Sequence, residues 1–387
     1  MNYFLIAGEA SGDLHGAALI RELSGNDPSA IFTFFGGDMM QAESGRAPLV
    51  HIREMAYMGF SEVLRHLADI RRNLRAAIRV LDAEKPDALI LIDYPSFNLR
   101  VAREAAKRNI PVFYYIPPKV WAWKKWRTKT ILRLCNKVFT IFPFEADFYN
   151  SYAGGKYAGN NQLVYAGNPS VEEVRRQLAE ASTHEDFLLK YRFRPNRPLV
   201  ALMPGSRKGE IRANLPVMLE AMDRFTQYKA LIIGAPGIED EFYSSFIAGR
   251  EVPVVREKST PAVLAHCRGA LATSGTATLE LALCSVPQVA MYRSNGSKLA
   301  YKLMSKVLSV PFVTLPNLIA GREVIPELLL HECTPDNVSG KLGGLLRPDA
   351  PDRLAQLEGY KEIAMRLTDK NAPATAAKEI VEALSAK

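Results

Sequence analysis

Apolar runs of strand length alternate with amphipathic helical stretches along almost the whole of this chain. A first series covers Tyr3–Ala7, Ile31–Phe35, Ala88–Ile92, Val112–Ile116, Val138–Phe142 and Leu163–Ala166. A second covers Leu199–Met203, Ala230–Ile233, Val252–Val255, Gly269–Ala272 and Gln288–Tyr292. Such alternation puts crossover helices on both faces of a parallel sheet, and 387 residues suffice for two such sheets. The polar stretch Glu180–Pro198, ending in RFRPNRP, separates the series. The expectation is an α/β protein of two doubly wound, Rossmann-like domains facing across a cleft. They span residues 1–185 and 186–365, and a C-terminal helix, 366–387, packs back on the first. Doubly wound sheets bind ligands beyond the carboxyl ends of their strands, so those loops carry the function.

Composition narrows the class. No run reaches the ~18 apolar residues of a membrane span, and the N-terminus lacks a basic region while Glu9 interrupts its apolar run, unlike a signal peptide. Cys135, Cys267, Cys284 and Cys333 lie far apart without metal-ligand spacing, which fits a reducing cytoplasm. The 49 basic and 41 acidic residues leave a surplus of +8 that favours anionic partners. No Asp-x-Asp motif is present, so neither a metal nor another cofactor is expected.

Three loops stand out. GEASGD, Gly8–Asp13, follows the first strand where a dinucleotide loop would sit, yet it lacks G-x-G-x-x-G and carries Glu9 and Asp13, which would repel a pyrophosphate. PGSRKGEI, Pro204–Ile211, follows the strand LVALM and opens a helix. Backbone amides at Gly205 and Ser206 can approach an anion, and Arg207 adds a fork of donors suited to a diphosphate. An ordinary strand–helix turn with a surface arginine is the alternative. In ALATSGTATLELAL, Ser274, Gly275 and Thr276 open another helix and Glu280 lies one turn inside it. A carboxylate there can accept both ribose hydroxyls while the helix amides hold phosphate. A capped helix with a solvated glutamate is the plainer alternative. Two anion loops in one half favour nucleotide binding.

In order along the chain, GEASGD, LILIDYPSFN, VWAW, LMPGSRKGEI, SGTATLELA and LPNLIAGREVIPELL resemble the lipid A disaccharide synthase family, from Leu5 to about Glu332. The resemblance implies a GT-B glycosyltransferase. Such an enzyme transfers 2,3-diacylglucosamine from its UDP derivative to 2,3-diacylglucosamine 1-phosphate, with inversion, giving a β(1→6) disaccharide of lipid A biosynthesis and UDP. The nucleotide then belongs to the second domain and the acceptor to the first, which accounts for the acidic first loop. Glu9, Ser11 and Asp13 carry over as acceptor-side residues, with helix capping the other role open to Ser11 and Asp13. Asp93, ending the strand ALILI, is the candidate base, with Glu9 and His15 in reserve. Gly205, Ser206, Arg207, Glu210, Ser274, Gly275, Thr276 and Glu280 would bind the donor, as would Asn317, Gly321, Arg322 and Glu323. The chain departs from the family at Ser96, where an acid is common, at Pro118 and Lys119, where serine is usual, and at Asn168, often histidine.

Acylated substrates imply peripheral attachment to anionic lipids, on the cytoplasmic face of the inner membrane of a Gram-negative bacterium. In Ser61–Leu81, the residues Val63, Leu67, Ile70, Leu74, Ala77, Ile78 and Leu81 share one helical face, opposite Arg65, Arg72 and Arg79, with Arg71 and Arg75 at the edges. That pattern suits an interfacial helix, or equally one packed on its sheet. Met55, Met58, Phe60, and the three tryptophans of VWAWKKWRTK, Trp121, Trp123 and Trp126, favour the interface. An epimerase or other UDP-sugar transferase of this fold, and a nucleic-acid binder using the Trp/Lys/Arg segment, are the competing classes. The motifs outside the donor half favour neither, and no nucleic-acid partner is expected.

Overall fold

The computed structural model describes residues 1–55, 67–122, 124–155, 161–293, 312–367 and 370–386. Two parallel sheets organise it. The first comprises β1 (Asn2–Ala7), β2 (Ile31–Gly36), β3 (Val50–His51), β4 (Ala88–Ile92), β5 (Val112–Tyr115), β6 (Lys137–Thr140) and β7 (Leu163–Tyr165), in the order β3-β2-β1-β4-β5-β6-β7. The second comprises β8 (Leu199–Met203), β9 (Lys229–Ile233), β10 (Val254–Val255), β11 (Cys267–Thr273), β12 (Gln288–Tyr292) and β13 (Glu327–Leu329), in the order β10-β9-β8-β11-β12-β13. The strand order therefore reverses once in each sheet, between β1 and β4 and between β8 and β11.

The strands form because they are apolar on both faces. β4 reads ALILI and is buried throughout, with Leu89 and Leu91 in one core cluster and Ile90 and Ile92 in the other. A strand covered by helices on both sides needs such a continuous run. β3 and β13, the two strands absent from the sequence reading, are edge strands of two and three residues. They are too short to show a period.

Two compact units result: Met1–Pro169 with Thr368–Lys387, and Ser170–Leu367. The division lies ahead of the polar stretch after Glu180, where the sequence places it. The helix His184–Tyr191, which interrupts that stretch, buries Phe187 and Leu188 with Leu199 and Leu231, so it joins the second core. The last helix, Ala372–Ser385, sets Ala372, Ala376, Ala377 and Ile380 among Leu19, Ile20 and Leu23 of the first unit, and Lys137 pairs with Glu379 there.

The segment read as interfacial is helical over Leu67–Ala83. Ala76, Ala77, Val80 and Leu81 are buried in the first core with Ile70 and Leu74 packed against them, while Arg71, Arg72, Arg75 and Arg79 are exposed. Burying that stripe on its own sheet removes it from any interface, so for the helix body the packed alternative holds. Met55 is likewise buried, and Trp121 is buried with its indole donating to Glu145 at 2.8 Å. Trp126 is exposed. Met58, Phe60, Val63, Arg65 and Trp123 lie outside the described residues, as does the side chain of Leu67.

Candidate functional site

Each reversal of strand order opens a crevice at the carboxyl ends of two neighbouring strands. In the first unit those strands are β1, leading into Gly8 and Glu9, and β4, leading into Asp93. The loops are locked together. A Cβ at Gly8 would lie 2.3 Å from Tyr94 Cγ, so only glycine lets that ring settle there, and the ring's hydroxyl donates to Met55 O at 3.0 Å.

Asp93 and Tyr94 both have left-handed backbones, φ +44° and +43°, as does Ile116 at the end of β5, φ +58°. A β-branched residue there is a true outlier. The Asp93 amide donates to Ile116 O at 3.2 Å, and its carbonyl accepts from Tyr114 Oη and Asn98 Nδ2, both at 2.8 Å. Strained backbone persists where surroundings over-determine it, and it concentrates at functional sites. Burial pushes the Asp93 carboxyl above its ordinary value, while the Lys119 ammonium and the Tyr94 amide pull it back. A carboxylate so placed is a competent proton acceptor.

The rest of the first loop divides. Glu9 starts the helix Ala10–Asn26 without capping it through its side chain, and His15 lies one turn and more inside; both are partly buried. Ser11 is exposed on the first turn. Asp13 is buried, and its oxygens accept from the amides of Gly37, Met39 and Met40 at 2.7, 3.0 and 3.1 Å. It thus caps the neighbouring helix Asp38–Ser44 rather than the first helix. Three backbone amides engage its oxygens in this structure.

In the second unit, β8 and β11 flank a cavity of 420 Å3 whose lining includes Gly205, Arg207, Thr273, Ser274, Thr276 and Glu280. Ser206, Glu210 and Gly275 also line it. Gly205 has φ +117°, a conformation that suits glycine. Glu210 Oε2 accepts from the amides of Ser206 and Arg207 at 3.0 and 3.3 Å, and Oε1 accepts from Arg207 Nη1 at 3.0 Å. Glu210, three residues into the helix Lys208–Met222, is thus a capping carboxylate. It holds the amides that the sequence reading offers to phosphate. The Arg207 side chain stays 75% exposed. An exposed pair of this kind contributes little stability, so the guanidinium can exchange Glu210 for a diphosphate.

Across the cavity, Gly275 precedes the helix Thr276–Leu283, and Ser274 Oγ donates to Val313 O at 3.0 Å. Glu280 is partly buried and, among the described residues, has no hydrogen-bond or ion-pair partner; desolvation alone raises its carboxyl to about 6. Thr273 Oγ1 is buried on the same wall and also unpartnered among the described residues. An acceptor carboxylate, a spare hydroxyl, an exposed guanidinium and a helix N-terminus together have the chemistry to accept hydroxyl donors and to hold an anion.

The profile of the lipid-A-disaccharide synthetase family matches residues 3–379. A lipid-A-disaccharide synthase of Myxococcus xanthus is 37% identical over 385 residues, covering 98% of this chain and 97% of its own. That of Geobacter sulfurreducens is 36% identical over 348 residues, covering 88% and 87%. The chain belongs to this family. It is accordingly a glycosyltransferase of GT-B fold. In solved structures, the UDP-GlcNAc 2-epimerase of Neisseria meningitidis bound to UDP-GlcNAc aligns over 100% of both chains, with TM-score 0.63 and 13% identity, a likeness of fold.

The residues of the motif LPNLIAGRE, read as donor-binding from the sequence, are engaged as follows. Asn317 is fully buried: Nδ2 donates to Ile325 O at 2.9 Å and Glu327 Oε1 at 2.8 Å, and Oδ1 accepts from the amides of Val324 and Ile325 at 2.7 and 2.9 Å. It is a clip for the turn that runs into β13. Gly321 ends the helix Leu315–Ala320 with φ +72°. Arg322 pairs with Glu362 at 2.7 Å, and Glu323 is exposed. None of these four lines the cavity. Sequence reasoning missed Thr273, which ends a strand, and Lys119, whose effect on Asp93 comes from the pairing of β4 with β5. Asn168 is buried and takes part in interactions of its own.

Proposed function

We propose that this protein transfers 2,3-diacylglucosamine from its UDP derivative to 2,3-diacylglucosamine 1-phosphate. The observation carrying the reading is that the motif loops fall in pairs at the strand-order reversals: acids beside β1 and β4, and cation, amides and Glu280 beside β8 and β11. In this reading Glu280 accepts the ribose hydroxyls and Arg207 neutralises the diphosphate. Asp93 takes the proton from the acceptor's 6-hydroxyl as its oxygen attacks the anomeric carbon. The bond from that carbon to the diphosphate oxygen breaks, its electron pair leaves with UDP, and the centre inverts. Glu9, His15 and Ser11 then serve the acceptor side.

Both substrates carry acyl chains, so we further infer peripheral attachment to the anionic cytoplasmic face of the inner membrane. Among the described residues no helix is long and apolar enough to cross a membrane. Exposed Arg71, Arg75 and Arg79, with Trp126, support contact through the first unit.

The test is product analysis by mass spectrometry with the diacyl donor, with and without the acceptor. Disaccharide 1-phosphate and UDP in equal amounts, only when both substrates are present, is the expected result. Epimerised donor, or UDP without disaccharide, would overturn the reading.

A further inference from the structure

A chain of hydrogen bonds ties the Ser274–Thr276 turn of the second unit's cavity to β13, two strands away in the sheet. Glu327 opens β13 and pairs with Ala290 of β12. Its Oε2 accepts from Val313 N at 3.0 Å. Its Oε1 accepts from Thr314 N at 3.0 Å, Thr314 Oγ1 at 2.6 Å and Asn317 Nδ2 at 2.8 Å. Val313 O in turn accepts from Ser274 Oγ at 3.0 Å. The carboxylate therefore gathers four donors from Val313–Asn317, and the peptide segment it holds also holds the serine at the end of β11. A carboxylate suits that place because both its oxygens only accept, whereas an amide would turn N–H groups towards one set of donors.

The Ser274 hydroxyl proton is committed to Val313 O, so what the turn presents to the cavity is backbone. Gly275, Thr276 and Ala277 line the cavity at the start of the helix Thr276–Leu283, where the first amides have no intrahelical partner. The turn is pinned on both sides of those amides. Before them, Ser274 N–H donates to Met291 O at 2.9 Å; after them, buried Thr278 Oγ1 donates to Gly275 O at 2.8 Å. The further pin, Ser274 Oγ, holds to a carbonyl whose own segment Glu327 fixes.

We propose that Glu327 is a positioning residue for the donor, acting through Val313 and Ser274 to set the amides of the 275–277 turn towards the diphosphate. The proposal rests on the reading of this cavity as the UDP-sugar site. Glu327 itself does not line the cavity, so its effect passes through the Val313 peptide. Ser274 then acts with it, as a second positioning residue.

The experiment compares Glu327→Gln, Ser274→Ala and the double variant in the full chain. UDP is the calorimetric probe, and KM is measured separately for the diacyl UDP donor and for the acceptor. Each single variant should bind UDP roughly 2–10-fold more weakly, the range of one hydrogen bond. The double variant should bind no more weakly than the weaker single, because both changes break the same chain. Donor KM should rise by a similar factor, while acceptor KM and kcat stay near wild type. If the glutamine variant melts early, Glu327→Asp, which keeps the charge but withdraws both oxygens by a methylene, carries the same comparison. A lowered melting temperature with unchanged UDP affinity would overturn the proposal and leave Glu327 a strap for the turn into β13. Losses that add in the double variant would also overturn it, since Ser274 would then meet the ligand on its own account. Arg207→Ala and Glu280→Gln are the controls for the reading beneath. If they weaken UDP binding and Glu327→Gln does not, the proposal alone fails; if all three leave it unchanged, the nucleotide reading fails and the proposal with it.

Discussion

Glu280 offers the sharpest test of the donor site, because its environment gives stability and binding opposite responses. Desolvation raises its carboxyl from 4.5 to about 6. At ~1.4 kcal/mol per pH unit, keeping it ionised in the folded chain costs about 2 kcal/mol. The unfolded chain releases this proton first as pH rises. Stability should therefore fall between about 4.5 and about 6 and stay lower above that window. Glu280→Gln removes the term, so at pH 8 the variant should be more stable by up to about 2 kcal/mol, read from urea denaturation. Binding should move the other way. Two ribose hydroxyls donating to a carboxylate favour its ionised form, and one hydrogen bond to a charged group contributes ~1.5–3 kcal/mol. By calorimetry the glutamine variant should bind UDP-GlcNAc, a water-soluble probe, roughly 10–100-fold more weakly at pH 8. Wild-type affinity should decline as pH drops through about 6, whereas the variant's should stay flat. The probe's diphosphate does not titrate in that window, so the decline belongs to the protein. Equal affinity in the two proteins, with the same pH dependence, would refute the assignment of the ribose to Glu280.

Asp93→Asn should retain UDP affinity but lower turnover by ~10²–10⁴, measured as UDP release in the presence of acceptor; near-normal turnover would move the base to Glu9 or His15. Arg207→Ala should weaken UDP binding by roughly 1.5–3 kcal/mol without loss of stability, because its present partner is an exposed ion pair. Unchanged calorimetry would place the diphosphate elsewhere. Asp13→Ala should destabilise the full chain by roughly 2–4 kcal/mol, since it strips the acceptor from three amides that start a neighbouring helix. A loss below about 1 kcal/mol in denaturant would show that water replaces it there.

What the sequence carried, and what it did not, follows from how far each interaction reaches along the chain. Strands buried on both faces announce themselves locally: ALILI and LVALM are continuous apolar runs, and their placement needs no tertiary knowledge. The edge strands Val50–His51 and Glu327–Leu329 exist only because β2 and β12 present open edges to them, so nothing local marks them. The same logic sorts the acids of the motif loops. Asp93 and Glu280 follow strand ends at the reversals, and position alone puts them in crevices. Asp13 looks equally poised in GEASGD, yet its partners are 24 to 27 residues away, on the Gly37–Met40 turn. Glu210 and Asn317 likewise bind backbone within their own loops.

A motif therefore marks a loop whose shape matters without saying which of its side chains meets ligand and which holds the loop. The hydrogen-bond inventory draws that line. Among the described residues it leaves Asp93 in the first unit and Glu280 in the second lifted by burial and short of protein donors, beside Asp13 and Glu210, whose oxygens accept from backbone amides. If the acceptor's proton goes to the first and the donor's ribose to the second, the engaged acids should tolerate amide substitution with losses in stability rather than turnover. Asp13→Asn and Glu210→Gln are the cases that decide it. Their melting temperatures should fall while kcat on the remaining folded protein stays within a few-fold of wild type. A kcat reduced as far as that of Asp93→Asn would put these acids back among the groups that touch substrate.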